Sequence, residues 1–156
     1  MTRLVQLAVA AAFLVALWKS FRLAMGLRAA ALARAADRSA EEARGRRVVT
    51  EIPQGGEVFL FLETPEAFEW QGRRMAKADL DGCRLLLNGG VMGTAARAGI
   101  ALPEAGTPEE YEGRERWDVR LYSPQGPADV PCGTLREGVS RDAARAVFES
   151  IRRSLN

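Results

Sequence analysis

Apolar residues are distributed in two different ways along this chain. From Leu4 to Trp18 they run almost unbroken, with Gln6 the sole polar side chain, so a helix formed there is apolar on every face. From Arg47 onward they alternate with polar residues, the two-residue period of half-buried strands. RVVTEIP predicts a strand ended by Pro53-Gln54-Gly55-Gly56, and EVFLFLE predicts a second. Thr64-Pro65-Glu66 then turns the chain into AFEW, and Gln71-Gly72 makes a two-residue hairpin turn into RRMAKA. That register opposes Phe68 to Met75, Trp70 to Arg73, and Glu69 to Arg74 as an opposite-charge pair. DGCRLLLNGG predicts a fifth strand between glycine turns. RWDVRLYS predicts a sixth, with Trp117, Val119 and Leu121 facing inward. Ser123-Pro124-Gln125-Gly126 fits a type I turn, and ADVPCGT a seventh, edge strand carrying Pro131. The final segment, SRDAARAVFESIRRSL, places Ala144, Val147, Phe148, Ile151 and Leu155 on one helical stripe, with Ser140 as the expected N-cap.

The N-terminal run poses a question of placement. Fifteen helical residues reach about 22 Å, short of a hydrocarbon core of roughly 30 Å, but Lys19 and Arg22 can snorkel and Trp18 stands where an interfacial anchor belongs. WKSFRLAMG, which follows, is too bulky and charged for a signal-peptidase site. The expectation is a single membrane span over residues 1–26. Lys19, Arg22, Arg28 and Arg34 flank its C-terminal side, which orients the following domain to the cytoplasm. Arginine far outnumbers lysine in this Ala-rich chain, which points to a bacterial source and hence to the cell inner membrane.

Charge divides the chain again. Between Lys19 and Arg47 eight basic residues face three acidic ones, whereas residues 48–156 hold 13 basic against 17 acidic. Residues 27–46 therefore read as a basic helical neck, rich in Ala, Arg and Glu, before a mildly acidic domain at 47–156. The acidic domain argues against a nucleic-acid partner, and the basic neck beside an apolar run suits a lipid bilayer. Residues 89–116 read as a long connecting loop, with GTAARAGIAL a candidate short helix and PEAGTPEEYEG an acidic stretch.

Candidate chemistry is sparse. The sequence contains no histidine, which removes the commonest general base and zinc ligand and leaves Ser123, Ser140 and Ser150 without a histidine partner. Cys83 and Cys132 read as small apolar fillers, with a disulfide between them the alternative in an oxidising compartment. LLLNGGVMGTAARAG has Asn88 where a dinucleotide fingerprint needs its first glycine, so it reads as a glycine-rich turn. Asp79 and Asp81 lack a third ligand and read as a solvated bend. No catalytic, metal or cofactor residue is assigned, and no enzyme is expected.

Seven short strands followed by one amphipathic helix resemble the pleckstrin-homology-like (PH-like) family over roughly Arg47–Leu155, chiefly through the hairpin AFEWQGRRMAKADLDGCRLLL and the closing helix. The resemblance implies an α+β fold in which a mainly antiparallel, partly open barrel of about seven strands is plugged by the C-terminal helix. Phosphoinositide-binding members place basic residues at the first hairpin loop, which here is the uncharged PQGG followed by Glu57. Scaffold and protein-binding roles are therefore the ones implied. The expected function is that of a non-enzymatic, membrane-anchored interaction protein. The alternative is a small accessory subunit packed among other membrane-protein subunits. The expected contact residues are Trp18, Lys19 and Arg22 at the bilayer, Arg44, Arg46 and Arg47 in the neck, and Glu109, Glu110, Tyr111 and Glu112 in the acidic loop.

Overall fold

A computed structural model describes residues 2–54, 57–105, 115–134 and 138–156, apart from the side chains of 2–12 and 27. The chain divides into two compact units, Met1–Arg44 and Gly45–Asn156.

The first unit is one helix of 42 residues, α1 (Thr2–Ala43). Its C-terminal turns are tied by Arg38–Glu42 and Arg44–Glu41 pairs, at 3.4 and 2.6 Å. Among the described residues no helix is long and apolar enough to cross a membrane. Lys19, Arg22 and Arg28 all fall within the 18 residues from Phe13 to Ala30, three charges where a span carries few or none. The single-pass inner-membrane placement with a cytoplasmic C-terminal domain is corrected accordingly.

The second unit is α+β. Sheet 1 comprises β1 (Arg47–Gln54), β2 (Glu57–Glu63), β3 (Ala67–Trp70) and β4 (Arg73–Ala76) as a meander in that order. Sheet 2 comprises β5 (Gly82–Leu87), β6 (Gly90–Ala96), β7 (Trp117–Tyr122) and β8 (Ala128–Gly133), ordered β6-β5-β7-β8. All pairs are antiparallel. A helix, α2 (Val139–Leu155), packs on β1 and on all four strands of sheet 2.

No barrel forms. Strand β1 lies beside β8, yet each belongs to its own ladder. Pro53 on β1 and Pro131 on β8 lack the N–H groups that a continuous ladder would need. The described strands number eight, not seven. The extra one, β6, occupies the stretch expected to be loop and short helix. Asn88 and Gly89, with φ of 48° and 78°, form the two-residue turn that folds it back on β5.

The β3–β4 hairpin has the register its sequence predicts, with Phe68 opposite Met75, Glu69 opposite Arg74 and Trp70 opposite Arg73. Gln71 and Gly72 take the left-handed conformation (φ 46° and 72°) that a type I′ turn requires. One core joins both sheets to the helix. Ile52, Phe61 and Phe68 from sheet 1 meet Cys83, Val119, Leu121 and Val130 from sheet 2 beneath Ala144, Val147 and Ile151 of α2. Phe61 stacks on Phe68 with ring centroids 5.6 Å apart. Ser140 is not the cap of α2. That position is Gly138, in the left-handed region, while Ser140 is fully buried within the first turn.

Candidate interaction surfaces

The described side chains of α1 present a large apolar surface. Phe13, Leu14, Val15, Leu17, Trp18, Phe21, Leu23, Met25 and Leu32 are all at least half exposed. Leu14, Trp18, Phe21, Met25 and Leu32 share one side of the helix at alternating four- and three-residue steps, with Arg28 the single polar interruption. Phe21, Ala24, Met25, Arg28 and Ala31 line a shallow groove along this side. Lys19, Arg34 and Asp37 project from the other side. The guanidinium of Arg22 lies 5.7 Å from the ring of Trp18, a cation–π contact on the exposed surface.

The neck arginines are used within the structure. Arg44 pairs with Glu41 in α1, and Arg46 lies 3.3 Å from Glu69 on β3. Arg47 donates to Glu63 on β2 and to Ser150 Oγ on α2, the latter at 3.0 Å. Glu63 also accepts from Lys77 Nζ and Ser150 Oγ, each at 2.7 Å. Burial of this carboxylate pushes its pKa up. The hydrogen bonds from Lys77, Arg47 and Ser150 outweigh that effect and bring it down to about 2. This ionic node fastens β1, β2 and α2 together. Glu109, Glu110, Tyr111 and Glu112 lie outside the described residues, as does most of the acidic stretch around them.

Sheet 2 carries a polar face on the side away from the core. Arg120 holds Asp129 through two bonds of 2.7 and 2.8 Å, and Arg84 donates to Tyr122 Oη at 3.1 Å. Asp118 sits in the same row and is 4% exposed, more buried than alternation predicts for an outward position. Its Oδ2 meets Arg116 Nε at 2.7 Å, while Oδ1 is buried without a hydrogen-bond partner. Burial raises its pKa, and the Arg116 cation only partly opposes this.

Cys83 and Cys132 are free, fully buried thiols on β5 and β8. Strand β7 stands between them, and Cys83 faces Leu121 whereas Cys132 lies by Trp117 and Asp118 at the other end of that strand. Two strand spacings of about 4.8 Å exceed the reach of a disulfide even before that offset is added. Burial pushes the Cys83 thiol up to about 12 and the Cys132 thiol upward as well, which makes both unreactive. Among the described residues no group of three or more Cys, Asp or Glu side chains gathers in a way that could hold a metal ion. The structure adds two features that the sequence reading passed over, the stepped apolar seam of α1 and the outer edge of β6. The four-three spacing from Leu14 and the Asn88-Gly89 turn were their signals. The chain matches no protein-family model, no curated protein and no solved structure.

Proposed function

We propose that this chain is a non-enzymatic interaction protein that docks through α1 on apolar helices of a partner protein, as a scaffold or accessory subunit does. One observation carries the reading. Leu14, Trp18, Phe21, Met25 and Leu32 form a seam of large side chains that are 51–70% exposed along one side of a helix. Such a seam is costly in water and is the pattern by which helices pack knobs into holes. Arg28 interrupts it once, and a single polar seam position commonly sets register at some cost in stability. The described apolar core is built entirely from residues of Gly45–Asn156.

The test uses the full chain carrying a photo-crosslinking benzoylphenylalanine at Phe21 or, as a control on the opposite side of α1, at Arg34. The Phe21 probe should yield one discrete adduct with another polypeptide, identified by mass spectrometry, and the Arg34 probe should not. Replacing Trp18 and Met25 by Asp should remove that adduct and leave the circular dichroism of the β domain unchanged. Equal adducts from both sides, none from either, or an adduct only with a second copy of this chain would overturn the reading.

A further inference from the structure

Among the described residues the two sheets have four terminal strands, and three of these carry residues that guard against pairing with another chain. Strand β1 carries Arg47 and Pro53, β4 carries Arg73 and Arg74, and β8 carries Asp129 and Pro131. Lysine, arginine, acidic residues and proline are the usual devices that keep an edge from acting as a template. Strand β6, GVMGTAA, has none of them and stands at the end of sheet 2. Its side chains are small, Thr94 and Ala96 are exposed, and Val91 and Met92 are 42% and 58% exposed beside it. A bulge leaves Met92 out of the ladder with β5, so Gly93–Ala96 is the continuous extended run.

We propose that the outer edge of β6 pairs antiparallel with β6 of a second copy, joining two copies of sheet 2 into one continuous sheet about a two-fold axis. Charge selects the occupant. Two-fold pairing sets each strand against its own image, so a charged edge such as β4 would bring arginine towards arginine. Strand β6 brings no like charges together and offers small residues that let two backbones approach. The pairing supplies hydrogen-bond partners for the outward backbone groups, which is how an added strand gains affinity. The interface is separate from the apolar seam of α1.

Single cysteines introduced into the full chain test this directly, because Cys83 and Cys132 are fully buried and do not compete for reagent. Val91→Cys, Thr94→Cys and Ala96→Cys together cover the possible two-fold registers, and Glu57→Cys at the exposed start of β2 serves as control. A short bis-maleimide should give a covalent dimer from at least one β6 position at no less than tenfold the control yield. Thr94→Lys should shift the sedimentation of the otherwise native chain from dimer to monomer and leave its circular dichroism unchanged. Yields at β6 no higher than at Glu57→Cys would overturn the proposal. So would a dimer indifferent to Thr94→Lys, which would then be held by another surface such as α1.

Discussion

Two carboxylates in the β domain respond to acid in opposite directions. Glu63 has a folded pKa depressed to about 2 from 4.5, so it contributes stability that is fully present above about 4.5 and is lost as pH falls toward 2. Glu63→Gln should cost about 2 kcal/mol at pH 7, because Lys77, Arg47 and Ser150 lose a charged acceptor. The difference from wild type should shrink below pH 4 in denaturant titrations. Asp118 runs the other way. Its folded pKa is raised, so its ionised form weakens the fold above the ordinary carboxylate range, and the penalty is relieved as pH falls through the raised value. Asp118→Asn should therefore raise stability at pH 7 by about 1 kcal/mol, since Arg116 is exposed enough to be rehydrated. That gain should vanish in acid. A destabilised Asp118→Asn at neutral pH would show that the Arg116 pair outweighs the burial of the charge.

At the scale of elements, α2 is held by its apolar stripe. Phe148→Ala or Ile151→Ala should cost about 2–5 kcal/mol, measured as a shift in urea midpoint, because both side chains are buried between the helix and the sheets. The stripe was legible in the sequence because it is local, with five residues at helical spacing within one segment. The β3–β4 hairpin was legible for the same reason, since Gln71-Gly72 fixes the turn and the turn fixes the register. Gly72→Val, which forces a branched side chain to φ 72°, should accordingly destabilise by about 1–2 kcal/mol. Strand β6 was not legible by period. Gly93, Thr94, Ala95 and Ala96 offer little hydrophobic contrast between faces, and only Asn88-Gly89 announced the fold-back. The order β6-β5-β7-β8 was out of reach of any local signal, because β7 returns to pair with β5 from 30 residues away. The same limit hid the use of the neck arginines. Nothing near Arg47 in sequence announces Glu63 or Ser150, which the fold brings to it. The apolar run of Leu4–Trp18 suggested a span by composition, whereas the four-three seam that begins at Leu14 stands out only where Lys19 and Arg22 take up other faces of α1.

For the whole molecule, the division into units makes a prediction about cooperativity. Every buried apolar residue of the described core, from Val48 to Leu155, belongs to Gly45–Asn156. A fragment spanning that unit should fold alone and unfold in one cooperative transition close to the corresponding transition in the full chain, because every described core residue lies within it. Its circular dichroism should be that of two sheets with one 17-residue helix. The difference spectrum between full chain and fragment should then be purely helical. In the isolated chain that helical signal should melt gradually, since a single helix that is not packed against anything is held only by propensity and by pairs such as Arg38–Glu42. If α1 docks on a partner as proposed, adding that partner should convert the gradual loss into a second cooperative step, because the seam from Leu14 to Leu32 would then be buried and the helix could unwind only as the complex dissociates. If the fragment fails to fold while the full chain melts in a single step, α1 is part of the core and the two-unit description is wrong.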